Sequence, residues 1–231
     1  MIRQVLLRGG RGVRHGKCLT NCARARRDNQ GYNAFTLIEL IVVVGIIIIL
    51  AGLVLSTAGY ARKKSARARA ETEIAAISAA CENYKADYGI YPRGPASAIP
   101  IGNVTIPANA TDNLNTRTRG DPTDTTDPTY GETSLYLYTQ LSSDSDGNPQ
   151  TPPTGKSYFT FKPQMLSMDT NGIVTAIKDP FGNSYGYSTT NQTDPNKGYN
   201  PTFDLWSTAG LTTNPPPSGT DTITPQWIKN W

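Results

Sequence analysis

The stretch AFTLIELIVVVGIIIILAGLVL, Ala34 to Leu55, constrains this chain more than any other part of it. Leu40 to Leu55 holds no charged residue, and Phe35 to Ala61 supplies the roughly 20 apolar residues needed to cross a hydrocarbon layer about 30 Å thick. One membrane-spanning helix is predicted there. Its single acid, Glu39, sits near the start of the run, where an ionised carboxylate is costly and calls for a specific partner.

Charge around this segment is uneven. Residues 1–34 carry eight Lys/Arg (Arg3, Arg8, Arg11, Arg14, Lys17, Arg24, Arg26, Arg27) against Asp28 alone, net +7, so the formal +4 of the whole chain leaves residues 35–231 at −3. The basic balance belongs to this leader, and no nucleic-acid partner is expected. A basic flank stays in the cytoplasm, which places Ala61 onward on the translocated side. Cys18, Cys22 and the only histidine, His15, also fall in the leader, and a C-x-x-x-C without a second pair is a poor metal signature. Cys81 is alone in the remainder, so a translocated domain must be held by packing or a bound ion rather than an intrachain disulfide.

After the apolar run comes YARKKSARARAETEIAAISAACENYKADYG, alanine-rich and without proline or internal glycine, a composition that favours helix. Ala70, Ile74, Ile77, Cys81, Tyr84 and Tyr88 step by 4, 3, 4, 3 and 4, which aligns them on one helical face, while Glu71, Ser78, Glu82 and Lys85 point elsewhere. Gly89 suits a C-cap and Pro92 prevents continuation. With no breaker between the two segments, the pattern predicts one helix of about 54 residues, Phe35 to Tyr88, about 80 Å long at 1.5 Å per residue.

One helix cannot bury its own apolar face, so the partner must follow in sequence. From Ile90 to about Gly155 the chain is rich in Pro, Thr, Asp, Asn and Gly and reads as surface loop, with LYLYTQL (Leu135 to Leu141) as a short helix or strand. Strand signatures then cluster in SYFTFK (Ser157 to Lys162), GIVTAIK (Gly172 to Lys178), SYGYST (Ser184 to Thr189) and TFDLWS (Thr202 to Ser207). DPFGN, Asp179 to Asn183, has turn chemistry, and Trp227 and Trp231 of WIKNW suit packing. The expected fold is α+β: a long N-terminal helix, membrane-spanning in its first half, packed on a small C-terminal antiparallel sheet. Its expected parts are a basic leader 1–34, a transmembrane part 35–60, a soluble amphipathic part 61–88 and a loop-rich β domain 89–231.

An ordinary secretory signal peptide would also pair a basic segment with an apolar one and would be cut near STAGYA, before about Ala61. Against it, the run is long for such a peptide and the helix continues in phase past the cut. A plain single-pass anchor is the other simple alternative. The residues themselves add a third: NAFTLIELIVVVGIIIILAGL resembles the class III signal of type IV pilins and type II secretion pseudopilins. That resemblance implies removal of the leader on the cytoplasmic side between Ala34 and Phe35, with N-methylation of Phe35. The family carries Gly before the cut; alanine is the next smallest residue, so cleavage is still expected here.

Glu39 then gains a partner. In a bundle of parallel helices its carboxylate would neutralise the new amine of a neighbour's Phe35 and set the axial register between subunits. Further on, DPFGNSYGY, FDLWSTAG and DTITPQW resemble in order the D-P-W-G-N-x-Y-x-Y, Y-D-L-Y-S-x-G and D-I-x-x-W blocks of the major pseudopilin, and KADYGIYPRG resembles the segment ending its long helix. The family holds Ca²⁺ between the last two blocks with several acids, whereas Asp221 is the only acid in STAGLTTNPPPSGTDTITPQW. Calcium takes about six to eight oxygens, so Asp221 marks at best a weak calcium site.

The resemblance implies a non-enzymatic subunit, single-pass in the inner membrane with its C-terminal domain in the periplasm. It would form a homopolymer, the pseudopilus, that drives type II protein secretion. Implied partners are the prepilin peptidase/methyltransferase, minor pseudopilins, an inner-membrane secretion platform with its ATPase, and membrane lipid. The alternatives within the superfamily are a type IV pilin or a minor pseudopilin; outside it, an exported binding protein with an ordinary signal peptide. No G-x-S-x-G, Gly-rich phosphate loop or paired metal motif argues for an enzyme.

Overall fold

A computed structural model describes residues 35–118, 122, 129–211 and 225–231. The leader, with Ala34, His15, Cys18 and Cys22, and the loop with Asp221 lie outside the described residues. The chain divides after Leu50 into an N-terminal unit and a unit spanning Ala51–Trp231. Its architecture is α+β, with a long N-terminal helix and small antiparallel sheets in the C-terminal region.

Helix α1 runs Leu37–Tyr88, 52 residues without interruption. It stops where the sequence has its first glycine after the alanine-rich segment: Gly89 takes φ +77° and its N–H donates to the Lys85 carbonyl at 2.7 Å. In the N-terminal unit the large apolar residues of α1 are exposed on every side, from Leu37 through Leu50. Among the described residues, α1 is the one helix long and apolar enough to cross a membrane.

In the C-terminal unit, Ala70, Ile74, Ile77, Cys81 and Tyr84 of the predicted stripe are buried in the main core. Burial pushes the Cys81 thiol up, out of the range in which it would ionise. Tyr88, the last stripe residue, stays exposed and stacks on Tyr84 with ring centroids 4.4 Å apart. Glu73 is also buried, held by Arg69 Nε at 2.6 Å and by the Tyr185 hydroxyl at 2.8 Å. A buried carboxylate needs such partners, and both come from fixed positions, one a helical turn earlier and one the residue just before a strand.

The same core takes in α3 (Tyr130–Ser142), the element with the ambiguous LYLYTQL pattern. Thr133 through Thr139 and Leu141 are all buried, so α3 is covered on several faces and has no clean amphipathic period. Thr129 caps it in a reciprocal box with Glu132: each side chain accepts the other residue's backbone N–H, at 3.2 and 2.6 Å. Its buried Thr and Ser hydroxyls donate within the helix, as Thr139 Oγ1 does to the Tyr136 carbonyl at 2.8 Å. A four-residue helix, α2 (Ala110–Asn113), precedes it.

The strands form three small sheets rather than one. Strands β1 (Ile99–Ile101) and β2 (Val104–Ile106) make a hairpin inside the segment expected to be loop. Strand β3 (Leu166–Met168) pairs with β4 (Val174–Ile177), with an irregularity between Ser167 and Met168. Strands β5 (Gly186–Ser188), β6 (Asp204–Ser207) and β7 (Ile228–Lys229) form a three-stranded sheet with β6 central. SYFTFK is not a strand. The N–H groups of Tyr158 and Phe159 both go to the Leu141 carbonyl at the end of α3, at 2.7 and 3.1 Å, and Pro163 then opens a short 3₁₀ turn. Its aromatic residues are packed there instead, Phe161 against Tyr138 and Phe159.

Candidate functional site

The head of α1, with Phe35 and Glu39, has a definite local geometry. Thr36 is the residue before the helix and Glu39 its third residue. The Glu39 Oε2 atom accepts the Thr36 N–H and the Thr36 hydroxyl, both at 2.8 Å, and the Thr36 hydroxyl accepts the Glu39 N–H at 3.3 Å. This is the capping box seen at Thr129 and Glu132, satisfying donors that every helix N-terminus leaves open. T-L-I-E carries that signature in plain sequence, beside the more conspicuous signal of a charge in an apolar run.

Glu39 therefore has a local task besides any task between subunits. Both groups involved are exposed, Phe35 is 82% exposed, and no cation pairs with the carboxylate among the described residues. The head thus presents a bare aromatic residue, a fixed carboxylate and an apolar surface on all sides. Chemically it can accept a cation next to Glu39 and bury apolar area. Ala34, where the resemblance places the cut, lies outside the described residues, and Phe35 directly precedes the cap.

The second group of predicted residues lies in the C-terminal unit, where the first two blocks that carry the resemblance and Trp227 of the third are brought together. DPFGN is a turn organised by Asp179: Oδ1 accepts the N–H groups of Phe181 and Asn183, each at 2.9 Å, and Gly182 takes φ +98°. Its other oxygen, Oδ2, accepts the Ser207 hydroxyl at 2.6 Å, tying this turn to FDLWS. FDLWS is strand β6, and Trp206 on it stacks parallel to Trp227 of the last block, with ring centroids 6.4 Å apart and 2° between planes. Trp206 Nε1 also donates to the Tyr130 hydroxyl at 2.9 Å. Among the described residues the blocks thus supply a turn before β5, the strand β6 and the Trp227 ring packed on it.

Asp221, the calcium residue named from sequence, lies outside the described residues. Among the described residues no group of three or more His, Cys, Asp or Glu is placed to hold a metal ion. Asp204 of β6 is buried and accepts the N–H groups of Tyr199 and Asn200 at 3.0 and 2.7 Å. Burial pushes its carboxyl up to about 6 from an ordinary 3.8, against the pull of the Asn200 N–H.

That shift has a sign for stability. Between about pH 4 and 6 Asp204 keeps in the folded chain a proton that it releases in the unfolded one, so its contribution to stability is greatest at the acid end and is lost as pH rises through about 6. At about 1.4 kcal/mol per unit the loss is up to roughly 3 kcal/mol. Denaturant titrations at both ends of this window should show that fall in the wild type and a flatter profile in Asp204→Asn; equal slopes in the two would refute the assignment.

No protein-family model, curated protein or solved structure matches this chain.

Proposed function

We propose that this chain is a pseudopilin-type subunit: a single-pass inner-membrane protein, matured by removal of residues 1–34, whose copies polymerise into a periplasmic filament that drives type II protein secretion. The observation that carries this reading is the head of α1. A helix that exposes apolar residues on every side must be covered by lipid or by like helices, and this one holds one fixed carboxylate four residues after the expected new N-terminus. Helix α1 then continues without a break into the spine of an α+β unit. A single element thus offers a membrane anchor and a polymerising surface, and its later turns belong to the exported domain.

The mechanism is mechanical. While the subunit is in the bilayer, lipid covers the apolar surface. On extraction, neighbouring helices must replace that lipid, and Glu39 neutralises the amine of a neighbour's Phe35 as they close. The cytoplasmic ATPase, the inner-membrane platform, the minor pseudopilins and the peptidase/methyltransferase are partners that the resemblance brings with it. Supporting the major pseudopilin over a type IV pilin is the absence of a cysteine pair after residue 34.

Processing tests the proposal directly. Intact-mass measurement and N-terminal sequencing should find a mature chain starting at Phe35 with a methylated amine. Ala34→Gly should be cut normally, and Ala34→Leu should accumulate uncut. A mature start near Ala61, or a retained leader, would overturn it in favour of a signal peptide or a plain anchor.

A further inference from the structure

Directly after the apolar run the helix carries five cations in eight residues: Arg62, Lys63, Lys64, Arg67 and Arg69. Two are committed within the chain. Arg69 pairs with Glu73 at 2.6 Å, and Arg67 pairs with Glu71 at 3.2 Å while Nη1 donates to the Gln226 carbonyl at 2.7 Å. Lys63 and Lys64 are exposed and have no acidic partner among the described residues. Tyr60, Lys63, Lys64 and Arg67 follow the spacing i, i+3, i+4, i+7 and so share one helical face. With Phe181 and Gln226 they line an open groove of about 460 Å³.

We propose that this groove binds the headgroup of an anionic phospholipid in the leaflet that the C-terminal domain faces. The inference rests on the membrane-spanning reading of α1, not on the pseudopilin assignment. Its chemistry is that of a phosphodiester site: two uncommitted ammonium groups for the charge, a guanidinium held in place by Glu71 and Gln226, and two aromatic rings for the apolar glycerol and upper acyl region. Depth agrees. Leu55 to Lys63 is eight residues, about 12 Å of helix, and the headgroup layer adds about 5 to 8 Å to each side of the hydrocarbon. Helical side chains lean toward the N-terminus, so both lysine stems reach back toward the apolar run and carry their ammonium groups into that layer.

A lipid source is favoured over a soluble phosphate because the groove is partly aromatic and adjoins the end of the apolar run, so both parts of an amphiphile find a surface. Basic residues also bias a flank toward the cytoplasm. The larger charge of residues 1–34 sets the orientation and leaves this stripe as a basic flank on the translocated side, against that bias. Pairing with anionic headgroups offsets the cost of holding it there.

The test uses the full chain reconstituted in phosphatidylcholine vesicles doped with spin-labelled phosphatidylglycerol or spin-labelled phosphatidylcholine, reading the fraction of label immobilised by protein. Phosphatidylglycerol should be preferred. The preference should fall about fivefold for each lysine neutralised, roughly 25-fold in Lys63→Gln/Lys64→Gln, and should weaken as salt is raised. Arg62→Gln, on another face, should change little; a loss equal to that of the lysine pair would mean diffuse attraction and overturn the groove. Displacement of the label by soluble glycerol phosphate would overturn the lipid source. A chain that floats with the vesicles but shows no phosphatidylglycerol preference sinks this inference alone, whereas a chain that does not float sinks the membrane-spanning reading and the inference with it.

Discussion

Replacing Glu39 with Gln is expected to abolish filament yield while leaving cleavage, membrane insertion and folding of the C-terminal unit intact. Glutamine keeps an amide oxygen that can accept from Thr36 and so preserves the capping box. What it removes is the charge. In the assembled bundle the neighbour's Phe35 amine would then be buried without a counter-ion, and breaking a buried pair from one side costs about 3 to 5 kcal/mol. That is a factor of roughly 100 to 5,000 at every addition step. Insertion becomes cheaper when the span loses a charge.

The reciprocal variant separates the two tasks of this carboxylate. Thr36→Ala removes the hydroxyl that caps α1 at 3.3 Å and one of the two donors to Glu39, while the charge stays. A lost cap costs about 1 kcal/mol in each subunit, so filaments should still form, with lower yield. Shearing or crosslinking assays in cells lacking the wild-type copy measure both variants. Normal filaments from cleaved Glu39→Gln protein would leave Glu39 as a cap with no part in assembly; a Thr36→Ala defect as deep as that of Glu39→Gln would make order at the helix head, rather than charge, the requirement.

These two variants also mark what the sequence made legible and what it hid. Helix α1 was readable because its signals are local and agree: no breaker from Leu37 to Tyr88, one apolar stripe, then Gly89 and Pro92. The start of α3 was just as local, since T-Y-G-E is a capping box, but L-Y-L-Y alternates with period two and held the choice between helix and strand open. The hairpin of β1 and β2 was masked by Pro100, a residue confined to edge strands, although Gly102 and Asn103 supply turn chemistry between two alternating runs. SYFTFK failed the other way, because Phe161 is buried against Tyr138 and Phe159 packs on Phe161 without a strand to pair with.

The candidate site divides along the same line. Glu39 announced itself as a charge in an apolar run, and the spacing of Tyr60, Lys63, Lys64 and Arg67 was present to be read. The burial of Asp204 and Glu73 was not, because it depends on which strands arrive beside them. Neither acid differs locally from the exposed acids around it, and their partners Asn200 and Tyr185 are fixed only once β5 and β6 pair.

The second large effect is expected at Gly186, inside the SYGYST block. Gly186 lies opposite Trp206 in the β5–β6 register, and a methyl group placed on it would interpenetrate the indole ring. Its backbone angle is ordinary, so alanine is excluded by space alone. The indole has no room to give: Trp206 is fully buried, meets the Tyr130 ring edge-on at 5.2 Å, and packs with Trp227 at 6.4 Å and Trp231 at 6.0 Å. Overpacking costs about 1 to 3 kcal/mol in a core that can adjust and more in one that cannot, so Gly186→Ala should destabilise the C-terminal unit by about 3 kcal/mol. Trp206→Leu should cost a similar amount through the cavity it leaves. The two costs should not add, because the leucine vacates the space that alanine needs. In the Trp206→Leu background, Gly186→Ala should cost less than about 1 kcal/mol, a coupling of about 2 kcal/mol of the kind that contacting residues show. Urea unfolding of the four proteins, followed by the fluorescence of the remaining tryptophans, measures the cycle. An equal cost for Gly186→Ala in both backgrounds would show that the glycine is required for a reason other than the indole lying over it.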